Sequence, residues 1–207
     1  SKAIKNKEEL LSEFQKYSSS FEDFYAQILR AYTMDTFLYQ NLNKYLREEN
    51  WLNINDLLPY VFCLCKAFFS LKSSEKQVIQ PTVMMKLYRG TTLNEEALKH
   101  FQKLSNGQRF SWHSITSTSK NKKIAERFMD ISNSDQNKKY SVMFIIQVPI
   151  LNSVDSATEY LRYLSLRKYS QFPIEDEVIL PPGSVFELEE FSKDENNEIT
   201  TVTLKLN

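Results

Sequence analysis

Only three glycines and two cysteines occur in 207 residues. The glycines, Gly90, Gly107 and Gly183, stand far apart, so no Gly-x-Gly-x-x-Gly phosphate loop is present, which excludes the common dinucleotide-binding fingerprint. The two cysteines, Cys63 and Cys65, fall in one expected helix. Side chains two apart on a helix do not face each other, so the pair cannot close a disulfide, and a reducing compartment is the simpler reading. Histidine is as scarce: His100 and His113 stand alone, without the Cys or His spacing of a metal centre, so no metal is expected. Charge of one sign is also missing, since Lys+Arg 26 against Asp+Glu 26 gives a formal net charge of +0. That balance leaves no basic footprint and disfavours nucleic acid as the main partner. The strongest apolar run, Leu57 to Leu71, is broken by Pro59 and Lys66 and is too short to span a bilayer, so no membrane segment is expected. No signal-peptide pattern opens the chain, and the expected location is cytoplasmic.

A chain of this length can bury ~70% of its unfolded surface, enough for a core and a concave site without staples. The first 80 residues read as four helices. Glu8-Leu10-Leu11-Phe14, Phe21-Phe24-Ile28-Leu29-Tyr32 and Phe37-Leu38-Leu42-Tyr45-Leu46 recur at helical spacing. Ser20, Asp35 and Asp56 are candidate caps for the second, third and fourth helices, with Pro59 tolerated in the first turn of the last. From Val83 the pattern shortens to strands over Met84–Tyr88, Arg109–Thr116, Tyr140–Val148, Glu177–Leu180, Ser184–Phe191 and Ile199–Leu206. Helices interrupt at Asn94–Leu104 and Lys122–Ile131, and Asp194 to Glu198 reads as a hairpin turn. Helices first and strands later indicate an α+β chain. We read one domain over 1–207, with a helical lobe over 1–80 and a β core over 81–207.

Three short motifs carry polar chemistry. Lys86-Leu87-Tyr88-Arg89-Gly90 places Arg89 and Gly90 at an expected strand end. Arg89 suits either a surface ion pair or a planar fork for a phosphate or carboxylate, and Gly90 permits close approach to the backbone. Ser114-Ile115-Thr116-Ser117-Thr118-Ser119 is either a strand followed by a cap, or a hydroxyl set to orient a neighbouring group. Phe128, on the helix that follows, is by default a core aromatic, with stacking on a flat heterocycle as the alternative. The third motif is Phe172-Pro173-Ile174-Glu175-Asp176-Glu177-Val178-Ile179-Leu180-Pro181-Pro182-Gly183. As an extended segment it aims the Glu175 and Glu177 carboxylates to one side, into one cleft, while Asp176 and Val178 face away; the alternative is a solvated strand edge. Phe172 and Pro173 make a stiff aromatic turn ahead of them, and Trp51 and Trp112 read as packing residues.

In this order, Arg89-Gly90, Ser117-Thr118-Ser119 and Glu175-x-Glu177 resemble the Arg, Ser-Thr-Ser and Glu-x-Glu signature of mono-ADP-ribosyltransferases. Ile28 to Thr33 and Tyr39 to Arg47 look like helices of the vertebrate-type, arginine-specific enzymes. The resemblance implies an N-terminal helical lobe packed on two mainly antiparallel sheets that form an NAD cleft. It implies NAD as co-substrate and a target protein with an exposed arginine as partner. Arg89 would take the NAD phosphates, the Gly90 backbone the nicotinamide amide, and Phe128 would stack on nicotinamide. Ser117 would hold the catalytic Glu177, Glu175 would select an arginine acceptor, and Phe172 would lie on the acceptor-recognition turn. Two carboxylates sharing a cleft are expected to raise the proton affinity of one, as a general base needs. The alternatives are an NAD glycohydrolase and a non-catalytic NAD- or partner-binding module. The disulfide cysteines of the vertebrate cell-surface enzymes are missing here.

Overall fold

The computed structural model describes residues 20–34, 37–70, 84–129, 139–149, 163–194 and 199–207. The expected helix around Glu8–Phe14, the Asp35 cap, residues 130–131 at the end of the Lys122–Ile131 helix and residues 195–198 of the hairpin turn lie outside these. The chain is α+β and divides into two compact units that do not follow one cut in the sequence. The first comprises Ser1–Gln77, Trp112–Thr116 and Asp155–Gly183; the second comprises Val78–Ser111, Ser117–Val154 and Ser184–Asn207.

In the first unit, α1 (Phe21–Thr33) opens on Ser20, whose side chain accepts the Asp23 N–H, with Glu22 and Asp23 in the first turn and Arg30 in the last. Acids at the start and a base at the end complement the helix dipole. The second helix, α2 (Phe37–Arg47), buries Leu38, Leu42 and Leu46 at four-residue spacing, which is why the sequence stripe is legible. After Glu49, held at φ 51°, Asn50 caps a five-residue helix, α3 (Trp51–Asn55), that the sequence pattern did not suggest. Asp56, expected to open the next helix, instead closes this one. Trp51 and Leu52 point outward at 61% and 84% exposure, so Trp51 is not the packing residue expected. Then α4 (Leu58–Ser70) buries Leu64, Ala67 and Phe68 against α1 and carries Cys63 and Cys65 as free thiols. No described helix is long and apolar enough to cross a membrane.

Two short strands of this unit, β5 (Leu164–Ser165) and β6 (Glu177–Leu180), pair antiparallel with Leu164 opposite Ile179. Leu164, Leu166 and Ile179 join the helical core, and so does Ile115. Beyond β6 the Pro181-Pro182-Gly183 stop turns at Gly183, with φ 80°, whose N–H donates to the Trp112 carbonyl at 2.8 Å.

The second unit is built on β1 (Met84–Asn94), antiparallel along its whole length to β4 (Lys139–Pro149). On the other side β4 pairs with β8 (Ile199–Leu206) in parallel, and β8 pairs antiparallel with β7 (Ser184–Asp194). With β2 (Arg109–Trp112) and β3 (Thr116–Ser119) the order is β2-β7-β8-β4-β1-β3. The expected strand over 109–116 is broken at 113–115, where Ile115 leaves to fill the helical core. In β8 the burial alternates residue by residue, with Val202, Leu204 and Leu206 inward. Asn94 at the end of β1 accepts the Ala97 N–H at 2.8 Å and caps α5 (Glu95–Lys103). From α5, Phe101 packs edge-on against Phe110 and Phe144, with centroids 5.7 and 5.2 Å away.

Candidate active site

Arg89 is not at a strand end. It sits within β1, opposite Phe144 of β4, because β1 continues to Asn94. Its guanidinium Nη1 donates to the Ser117 carbonyl at 2.8 Å, which ties β1 to β3 and fixes the direction of the fork. That bond uses one of five guanidinium donors, so the group retains capacity for an anion. Ser117 is half-buried between the buried Thr116 and Thr118.

Gly90 follows with a different reason from the one its position suggested. A Cβ there would lie 1.9 Å from the Ala125 carbonyl oxygen, a backbone atom that cannot swing aside. The short helix α6 (Lys122–Glu126) therefore rests directly on β1, and only glycine fits beneath it. Asn121 fixes the start of α6: its N–H donates to Ser119 Oγ at 2.9 Å, and its side chain accepts the Lys123 N–H at 3.0 Å. Helix α6 ends at Glu126 rather than running on to 131, and the Phe128 N–H donates to the Ala125 carbonyl at 3.1 Å. Phe128 is 60% exposed, so the default core role fails; Ile124, Ala125 and Met129 fill the core there instead. The unit thus brings Arg89, Gly90, Ser117 and Phe128 onto three neighbouring pieces, joined by the Arg89–Ser117 bond and by the Gly90–Ala125–Phe128 sequence of contacts.

In the first unit the segment 166–177 is a chain of local bonds. Leu166 N–H donates to the Glu177 carbonyl at 2.8 Å, and the amides of Tyr169 and Ser170 both reach the Leu166 carbonyl at 2.7 Å. The Phe172 N–H donates to Ser170 Oγ at 2.9 Å. Pro173–Glu175 then forms a 3-10 turn, with the Glu175 N–H on the Phe172 carbonyl at 3.0 Å. Asp176 adopts the left-handed conformation, φ 45° and ψ 48°, and β6 begins only at Glu177. The segment is therefore not extended, and the alternation that put both carboxylates on one strand face does not apply. Glu177 is 8% exposed at the head of a strand buried on both faces, Glu175 is half-buried, and Phe172 and Ile174 stand out at 45% and 86% exposure.

One polar residue outside the three motifs, Tyr32, is close enough to Glu177 to feel its charge, and Asn43 is bonded to it. Tyr32 of α1 is fully buried, and its hydroxyl accepts a hydrogen bond from Asn43 Nδ2 of α2 at 3.1 Å. Burial first, then the neighbouring Tyr39 phenol, push the Tyr32 phenol well above its ordinary range; the Asn43 hydrogen bond opposes this in part, Glu177 adds to it, and the phenol stays neutral. Asn43 Oδ1 is buried with no hydrogen-bond partner among the described residues. A sequence signal existed: Asn43 falls at helical spacing on the Tyr39–Leu46 ridge of an otherwise apolar face.

The sequence profile of the family described as NAD:arginine ADP-ribosyltransferase matches residues 1–159, three quarters of the chain but not the glutamate pair. No curated protein matches by sequence. Among solved structures, the Vis ADP-ribosyltransferase in complex with agmatine superposes with a TM-score of 0.65 at 19% identity, covering 100% of this chain and 88% of that one; another structure of Vis names its source as Vibrio splendidus. HopU1 of Pseudomonas syringae pv. Tomato DC3000 gives 0.63 at 17% identity, covering 96% of this chain and 87% of that one. Plx2a, an ADP-ribosyltransferase toxin from Paenibacillus larvae, gives 0.61 at 17% identity, covering 98% and 97%. At these identities the likeness establishes the fold, and these neighbours are bacterial rather than vertebrate. With the profile match over most of its length, the chain belongs to the NAD:arginine ADP-ribosyltransferase family.

Proposed function

We propose that this protein transfers ADP-ribose from NAD to an arginine side chain of a target protein and releases nicotinamide. The observation that carries the reading is the contrast within one turn: Glu177 is buried at the start of β6, while Glu175 is half-buried on a turn that exposes Phe172. Cleavage of the bond between the ribose C1′ and the nicotinamide nitrogen leaves the electron pair on nicotinamide and positive charge on the sugar. A buried carboxylate bonded to a ribose hydroxyl stabilises that charge, and this is the role of Glu177. Nitrogen of the acceptor guanidinium then bonds to C1′ and its proton passes to a carboxylate, the role of Glu175. The guanidinium pKa lies above ~12, so without such a base it is a poor nucleophile.

The remaining assignments follow the same division. Arg89 binds the NAD phosphates with the donors left beyond its bond to Ser117. The Gly90 backbone takes the nicotinamide amide, Phe128 stacks on the ring from its exposed turn, and Ser117 orients Glu177. Phe172 belongs to the acceptor surface. The Vis structure in complex with agmatine, a guanidino compound, supports a guanidino acceptor for this fold.

The test is incubation with NAD and agmatine, following nicotinamide and the ADP-ribosylated agmatine by mass spectrometry. Formation of both supports the reading. Nicotinamide without adduct would make water the acceptor and the protein an NAD glycohydrolase; neither product would leave a non-catalytic binding module.

A further inference from the structure

The last residue of α1 reaches across the sequence to the turn that carries Phe172 and Glu175. Thr33 Oγ1 donates to the Arg30 carbonyl at 2.9 Å, one turn back on its own helix, which fixes the hydroxyl's direction. The same oxygen accepts the Gln171 N–H at 3.2 Å, a bond between residues 138 positions apart. Gln171 immediately precedes Phe172, whose own N–H is taken by Ser170 Oγ. Two consecutive backbone amides at the entrance of the turn are therefore held by side-chain hydroxyls, and residues 171–176 lie outside any strand.

Helix α1 is a firm base for such a grip. Leu29 and Tyr32 are fully buried, and Tyr60 of α4 donates its hydroxyl proton to the Ile28 carbonyl at 3.1 Å. The far end of the segment is held independently: the Glu177 carbonyl receives the Leu166 N–H, and Val178 pairs with Ser165 in β5–β6. Removing the Thr33 hydroxyl thus takes away the hold of α1 on the Phe172–Glu175 side of the segment and leaves the backbone bonds of Glu177 and Val178 in place.

We propose that Thr33 is a positioning residue for acceptor choice: its hydroxyl holds the Gln171 amide and so sets the pose of Phe172 and Glu175 toward the incoming guanidinium. This rests on the reading of Glu175 as the acceptor-side carboxylate. The hydroxyl takes no part in bond making or breaking, and its effect is confined to how often Glu175 is in place when the sugar cation forms.

The test compares Thr33→Val, isosteric but without the hydroxyl, with Thr33→Ser, which retains it, and with Thr33→Ala, in the full chain. With agmatine as acceptor, Thr33→Val and Thr33→Ala are expected to raise the agmatine KM by about 3- to 10-fold, the size of one lost hydrogen bond. The product ratio shifts toward NAD hydrolysis, the NAD KM stays at the wild-type value, and Thr33→Ser behaves as wild type. An unchanged agmatine KM and product ratio in Thr33→Val, an equal change in the NAD KM, or failure of Thr33→Ser to restore the wild-type ratio would each overturn the proposal. Hydrogen exchange reads the grip without turnover: Thr33→Val should speed exchange at Gln171 and Phe172 while residues 177–180 keep their protection, and unchanged rates at 171–172 would overturn it. If the wild-type protein forms no agmatine adduct, the acceptor reading fails by itself, and the exchange experiment still decides whether Thr33 holds the turn.

Discussion

Glu175 and Glu177 are separated by a residue in the left-handed conformation, Asp176, so they belong to different pieces of structure: Glu175 ends a 3-10 turn and Glu177 begins a buried strand. Positions only two apart in sequence therefore give two carboxylates with different exposure and independent backbone supports. This separation suits the division of labour proposed for the two acids.

The joint itself can be tested. A β-branched residue at φ 45° is strained, whereas Gly and Asn enter this region readily. Asp176→Val should cost about 1–3 kcal/mol of stability and reduce guanidino transfer, while Asp176→Asn and Asp176→Gly keep both near wild type. Urea melts and the agmatine assay on the three variants check this. Equal behaviour of Val and Asn would show that the left-handed turn does not matter.

Gly90 offers a packing test. A methyl group at this position meets the Ala125 carbonyl oxygen 1.9 Å away, so α6 must move off β1. Gly90→Ala is expected to destabilise the fold by about 1–3 kcal/mol, the usual range for overpacking a tight contact. Since Phe128 hangs from the Ala125 carbonyl, the NAD KM should rise as well. A variant with wild-type melting and wild-type NAD KM would contradict the contact.

The buried tyrosines set an alkaline limit. Burial is the first cause that raises the phenols of Tyr32 and Tyr60 above their ordinary value of 10.0. Above pH 10 the unfolded chain releases these protons while the folded chain keeps them, so the unfolded state binds fewer protons and stability falls as pH rises. The slope is about 1.4 kcal/mol per pH unit for each tyrosine, and stability is not affected by them below the unfolded value. Denaturant titrations between pH 9 and 11 measure it. Tyr60→Phe should lower stability at neutral pH, through loss of the bond to the Ile28 carbonyl, and should make the alkaline slope shallower. A pH-independent melt across that range would contradict the burial of these hydroxyls.

The long helices and strands were legible because burial repeats along them: Leu38, Leu42 and Leu46 in α2, and the alternating Val202, Leu204 and Leu206 in β8, can be read from spacing alone. Short or tertiary features were not. Helix α3 has five residues and two exposed apolar side chains, too few positions for a period. The apolar pattern ends the strand at Tyr88 and gives Gly90 close approach to the backbone as its reason, whereas here it admits α6, a reason that lies 35 positions away at Ala125. Asp176 breaks the alternation through a backbone angle that no side-chain pattern announces. The motif order pointed to Arg89, Ser117, Glu175 and Glu177, and the structure joins Arg89 to Ser117 directly. The Tyr32–Asn43 pair was not legible because it is made by helix packing rather than by a motif.

The most direct test of the account is the ratio of ADP-ribosylated agmatine to nicotinamide released, measured for wild type, Glu175→Gln and Glu177→Gln under the same conditions. The account predicts that Glu175→Gln loses the adduct while still releasing some nicotinamide by hydrolysis, and that Glu177→Gln loses both. Equal loss of both products in the two variants would contradict it, because the two carboxylates would then act as one.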